Sequence, residues 1–194
     1  MKGFEETLPA LLIIDMINKF DFTHGEILSQ KASQIAVPIK ELRNLFIKQK
    51  LPVIFINDHY NLWQANLDLI VDYCRNERSE PVFKTLLPEK DDYFLIKPKH
   101  SAFYGTALNT LLHSLKVNTL ILCGIAGNIC VLFTANDAYM REYKLIVPKN
   151  TIASTDDHDN LYAIRMMENV LKADVQKTAQ EIYEHYIISP SPPS

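Results

Sequence analysis

The chain is short of the features that mark several common functions. Its three cysteines are an odd number with no Cys-x-x-Cys spacing, which fits neither a disulfide framework nor a zinc site and points to a reducing, cytoplasmic setting. Basic charge is not massed: 20 Lys and Arg are scattered along a chain of formal net charge −3, leaving no electrostatic footprint for nucleic acid. No long hydrophobic run is present. The most apolar window, 120–135, is broken by Gly124, Gly127 and Asn128 and falls short of the ~20 residues that cross a bilayer. The start carries Lys2 and then Glu5 and Glu6, unlike a secretory signal, so neither membrane nor secretion is expected. Repeats and an interdomain linker are lacking too. Low complexity is confined to the ending Ser189-Pro-Ser-Pro-Pro-Ser, whose prolines neither continue a helix nor pair in a central strand. Residues 1–188 are therefore read as one domain and 189–194 as a flexible tail.

What is present is 47% apolar over 194 residues, enough for a single continuous core. Short apolar runs alternate with longer amphipathic ones. The pattern predicts strands at 10–15, 52–57, 93–97, 118–123, 144–147 and 174–177, and helices at 32–49, 64–76, 106–115, 128–141, 157–171 and 179–185. Such alternation builds βαβ units. The strands Leu11-Leu12-Ile13-Ile14 and Leu120-Ile121-Leu122 are continuously apolar, as in a parallel sheet covered by helices on both faces.

Ligands of open α/β sheets gather outside the carboxyl ends of the strands. Three chemically complementary residues fall there: Asp15 after the first strand, Lys97 at the end of the third, and Cys130 after a short turn following the fourth. Each has an ordinary alternative, as a turn carboxylate, a solvated lysine or an inert buried thiol. Together they describe an activated cysteine nucleophile. Cys130 falls near the first turn of a predicted helix, where the helix dipole is expected to lower its pKa toward thiolate. Cys74 and Cys123 read as structural.

Three segments make a resemblance specific. They are Leu11-Leu-Ile-Ile-Asp15-Met-Ile-Asn-Lys-Phe20, Lys97-Pro-Lys-His-Ser101-Ala-Phe103-Tyr-Gly105-Thr-Ala-Leu108, and Gly124-Ile-Ala126-Gly-Asn-Ile-Cys130-Val-Leu-Phe-Thr134-Ala135-Asn-Asp137-Ala138. In this order they resemble the signature blocks of the isochorismatase-like cysteine hydrolases. The resemblance implies an α/β fold, a three-layer α/β/α sandwich around a six-stranded parallel sheet. It implies a catalytic triad of Asp15, Lys97 and Cys130, and a cis peptide before Ala126 that turns the Ala126 and Cys130 N–H groups toward an oxyanion. It also implies a homo-oligomer, dimer or tetramer.

Isochorismatases proper, which cleave a vinyl ether, generally lack the nucleophilic cysteine, whereas nicotinamidases, ureidoacrylate hydrolases and N-carbamoylsarcosine amidohydrolases have it. Cys130 therefore favours hydrolysis of a C–N bond in a small amide or carbamoyl-type substrate, without an organic cofactor. Nicotinamidases place an Asp-x-His and a further His after the second strand to hold a divalent metal. Here Asp58-His59-Tyr60 stands alone until His100, so no metal is expected and Asp58 is read as a hydrogen-bonding or pocket-shaping residue. Gly127 and Asn128 replace a common Thr-Asp pair, and Ile17 a common Gln. Phe20, Trp63, Phe103, Tyr104 and Ile125 are the expected substrate-lining residues. Two rival readings remain: a metal-dependent nicotinamidase or isochorismatase-type hydrolase, and a non-enzymatic binding or assembly protein on the same fold.

Overall fold

The computed structural model describes residues 8–182 and 184. Along the chain run β1 (Pro9–Ile14), α1 (Gly25–Lys48), β2 (Val53–Asp58), α2 (Leu67–Cys74), α3 (Glu80–Thr85), β3 (Tyr93–Lys97), α4 (Leu108–Ser114) and β4 (Thr119–Ile125). A π-helical turn, Gly127–Val131, leads into α5 (Leu132–Met140), β5 (Lys144–Ile146), β6 (Ile152–Ala153), α6 (Asp157–Asn169) and α7 (Ala179–Ile182).

All strand pairs are parallel, in the order β3-β2-β1-β4-β5, with β6 also on β4. Parallel neighbours need crossovers, and helices supply most of them. Side chains alternate across a strand, so central β1 feeds both faces. Leu11 and Ile13 pack with Ala32, Ile39 and Phe46 of α1. Leu12 and Ile14 pack with Leu108 of α4, Ala135 of α5 and Met167 of α6. Two apolar clusters on one sheet make the three-layer α/β/α sandwich that the sequence predicted.

Several boundaries differ from expectation. The sixth strand is Ile152–Ala153, pairing with Gly124 and Ile125, and not 174–177. Asp174 makes a single bridge to Ile146 and then accepts the Gln176 N–H on its own carboxylate, a turn that ends the pairing. Helix α1 begins at Gly25, seven residues before the predicted start, because Leu28 and Ala32 extend the buried stripe of Ile35 and Ile39 through polar Ser29 to Lys31. The predicted 64–76 helix is shorter. Asn66 caps it by accepting the Leu69 N–H at 3.1 Å, and α3 follows as a separate helix. The expected 128–141 helix divides into the π turn and α5. His185 and the 189–194 tail lie outside the described residues.

Candidate active site

Strands β1, β2, β3 and β4 end side by side, and the register places Ile14 opposite Ile56 and Gly124, and Asp58 opposite Lys97. Asp15 is the first residue past β1, with φ 53 in the left-handed region that a side-chain-bearing residue seldom adopts. Its N–H bonds Ile56 O at 2.9 Å and its Oδ1 accepts the Asp58 N–H at 3.0 Å, so the backbone of β2 orients the carboxylate. The other oxygen, Oδ2, lies 2.8 Å from Lys97 Nζ in a buried ion pair. Lys97 is 1% exposed, a burial lysine tolerates only when its charge is met. Its ammonium is met three times: by Asp15, by Lys99 O at 3.2 Å and by Cys130 Sγ at 3.5 Å.

Cys130 stands in the π turn, whose five-residue reach is seen in the Val131 N–H bonding Ala126 O at 3.1 Å. Such turns occur often at functional sites because they re-aim a side chain within a helix entry. Two glycines permit this path. Gly124 has φ 117, and a Cβ there would meet Ile14 O at 2.1 Å. A Cβ on Gly127 would meet Asn160 Oδ1 at 2.2 Å, so the residue where a common Thr is missing is one where α6 leaves no room. Ser154 Oγ accepts the Asn128 N–H at 3.0 Å and donates to Asn160 Oδ1 at 2.8 Å, locking the turn to α6. The Ile125–Ala126 peptide is cis.

The segment 98–106 is tied to the same turn. Thr134 Oγ1 accepts the Ala102 N–H at 3.0 Å and donates to Cys130 O at 2.7 Å, while the Ser101 hydroxyl donates to the Asp137 carboxylate. The second and third signature segments are thus stitched together by their own polar residues.

Charge at the site differs from the expectation of a depressed thiol pKa. Burial pushes the Cys130 thiol well above its ordinary value, Asp15 pushes it further, and Lys97 opposes both. The reason is depth: the thiol sits half-buried under the carboxyl end of the sheet rather than open at a helix N-terminus. Burial lowers Lys97, but Asp15 and Cys130 outweigh it and hold its pKa above the usual lysine value. Cys74 and Cys123 are buried and raised to about 11 and about 12, mainly by desolvation.

Of the expected lining residues, Trp63 and Tyr104 are 66% and 62% exposed, whereas Phe20 is fully buried and Ile125 nearly so. Phe20 belongs to the core cluster of α1. Phe103 is buried too, with Tyr143 beside it and the Arg141 guanidinium 4.7 Å from its ring centroid. The structure therefore assigns Phe20 and Phe103 to packing. Asp58 Oδ1 accepts the Tyr60 N–H and His59 Nδ1 the Asn61 N–H, with the His59 ring stacked on Trp63 at 3.9 Å. Asp58 and His59 offer two ligands at most at this edge, fewer than the three or four protein ligands of a tightly held zinc. Among the described residues no three His, Cys, Asp or Glu side chains are grouped to hold one.

Sequence reasoning missed His100. Its Nδ1 lies 4.0 Å from Cys130 Sγ, and its ring packs on Phe133 at 5.7 Å. The available signal was a titratable residue three positions after Lys97, within a segment already singled out.

A parallel α/β/α sandwich with Asp, Lys and Cys side chains gathered at its strand ends defines a class of α/β domain with a polar site at the carboxyl edge of its sheet, and comparison with known proteins narrows it. The family model of the isochorismatase domain matches residues 9–180, and the chain belongs to the isochorismatase-like hydrolase family. The uncharacterized isochorismatase family protein YaaI of Bacillus subtilis (strain 168) is 55% identical over 175 residues, 90% of this chain and 96% of that protein. N-carbamoylsarcosine amidase from Thermoplasma acidophilum superposes with a TM-score of 0.67 at 29% identity, covering 87% of this chain and 95% of that one. The nicotinamidase/pyrazinamidase PncA of Bacillus subtilis does so with a TM-score of 0.68 at 26% identity, covering 87% and 99%. No helix among the described residues is long and apolar enough to cross a membrane.

Proposed function

We propose that this protein is a cysteine amidohydrolase that cleaves a C–N bond of a small amide or carbamoyl-type substrate through a thioester. The observation that carries the reading is Lys97 Nζ, buried 2.8 Å from Asp15 and 3.5 Å from Cys130 Sγ. The raised thiol makes attack and proton loss a coupled event: Asp15, ion-paired to Lys97 behind the thiol, takes the proton as sulfur bonds the carbonyl carbon, and Lys97 stabilises the thiolate character. The tetrahedral oxyanion is held by the Ala126 and Cys130 N–H groups. Asp15 then gives its proton to the departing amine, which leaves a thioester on Cys130. Water, deprotonated by Asp15, hydrolyses that thioester and restores the thiol.

Trp63 and Tyr104, the exposed aromatics among the candidates, contact the substrate's apolar part. The similarity to N-carbamoylsarcosine amidase supports a carbamoyl group, and the site needs no organic cofactor. The protein works in the cytoplasm as a homo-oligomer, a reading supported by the exposed Leu161, Tyr162, Met166 and Val170 on and just after α6. The test is ammonia release across a panel of small amides and N-carbamoyl compounds. Cys130→Ala, which removes one sulfur atom from a half-buried position, should abolish release while leaving the melting temperature near the parent's. Cys130→Ser should be crippled, because a hydroxyl is far harder to deprotonate. Near-parental hydrolysis by Cys130→Ala would refute the covalent mechanism.

A further inference from the structure

Resting on the nucleophile just assigned, we infer that His100 is the second proton partner of Cys130, facing its thiol from the solvent side while Asp15 and Lys97 hold it from within. The geometry has three parts. His100 Nδ1 lies 4.0 Å from Sγ, at the outer limit of a sulfur hydrogen bond. The ring packs against Phe133, one turn along from Cys130, with centroids 5.7 Å apart, and belongs to a segment that Ser101 and Ala102 anchor to α5 through Asp137 and Thr134. His100 is also exposed, whereas Asp15 and Lys97 are 6% and 1% exposed, so the thiol has one acceptor facing water and one facing the core.

The step is a plain proton exchange. As sulfur bonds an electrophile the S–H bond breaks, its electron pair forms the new bond, and the proton goes to Nδ1 of the neutral ring, so the raised thiol need not ionise first. Nothing else is consumed. As charge develops on sulfur the contact with the ring becomes charge-assisted, which is stronger than its neutral counterpart. The charged groups around this corner are Lys97 and Lys99 on the histidine's own segment, Asp15 behind the thiol, and Asp137 on α5, whose carboxylate is engaged by Ser101 and Arg141. Asp15 is engaged by Lys97 and the Asp58 N–H, and Asp137 by Ser101 and Arg141, so Cys130 is the acidic group left to exchange a proton with the ring.

Proton transfer to the ring gives the attack a signature in labelling. Iodoacetamide labelling of Cys130 in the parent protein should show two contributions, one near neutrality that His100 assists as a base and one in alkali from free thiolate. His100→Gln keeps a hydrogen-bond donor but cannot take the proton, so the contribution near neutrality should vanish. Its labelling near neutrality should fall about tenfold, less than the ~10²–10⁴ of a well-aligned base because the 4.0 Å contact is long. His100→Ala should lose the same contribution and label more slowly still, and both variants should melt near the parent. Superimposable profiles for the three proteins would overturn the assignment. If Cys130 in the parent labels no faster than Cys74 or Cys123, the nucleophile itself falls and the histidine pairing with it. The two failures are thereby told apart without knowledge of the substrate.

Discussion

Replacing Lys97 by Met keeps most of the buried volume and deletes one charge, which makes it a sharp test of how the thiol is governed. The ammonium sits 3.5 Å from Cys130 Sγ. At an effective dielectric near ~20 that separation is worth about 5 kcal/mol to a thiolate, an upper bound that water at the half-buried sulfur reduces. A third of it still corresponds to about one pKa unit, or roughly tenfold in thiolate at a given pH. The sign follows from the existing balance. Burial and Asp15 already raise the thiol and Lys97 opposes them, so its loss raises the thiol further. Labelling by iodoacetamide should slow at neutral pH and recover in alkali. Lys99→Met is the control, because Lys99 takes part through its backbone carbonyl and its side chain is exposed. The variant also strands the Asp15 carboxylate without its cation, a loss of about 3–5 kcal/mol for a broken buried pair, so labelling is compared well below each melting transition. Coincident pH profiles for parent, Lys97→Met and Lys99→Met would show that the ammonium does not govern the thiol.

The remaining expectations concern the turn and the metal. Gly127→Ala should lose about 1–3 kcal/mol and much of the Cys130 reactivity, because the new methyl meets Asn160 Oδ1 at 2.2 Å. Asn160→Ala in the same chain should return part of both, and failure of this rescue in melting and labelling assays would disconnect the turn from α6. Treatment with a strong chelator should leave hydrolysis unchanged, since among the described residues no three His, Cys, Asp or Glu side chains are grouped to hold a metal. Activity lost on chelation and restored by zinc, iron or manganese would favour the nicotinamidase-type reading instead.

Periodicity alone was enough to reveal the layered α/β architecture. An apolar run such as Leu11–Ile14 has one stable use, a strand buried on both faces, and the stripe of Ile35, Ile39 and Leu42 has another, a helix lying on it. The strand-end positions of Asp15 and Lys97 followed, because chain order and parallel pairing bring the ends of consecutive strands to one edge. Cys130 was legible as a strand-end thiol for the same reason. Its environment was not. Whether a thiol is lowered by a helix end or raised by burial depends on depth and on neighbours from other segments, and the π turn that sets this depth is shaped by contacts of Gly127 with Asn160 and of Asn128 with Ser154, some thirty residues away. His100 stayed hidden because one residue's displacement along a loop decides whether it faces water or Sγ, and that displacement is set by Ala102 and Ser101 bonding α5. The sixth strand was misplaced for a related reason: Ile152–Ala153 is too short to show a pattern and exists because Gly124 and Ile125 offer it a free edge. Local sequence thus decided the elements that carry their own periodicity, and tertiary packing decided every feature whose energy lies in contacts between distant segments.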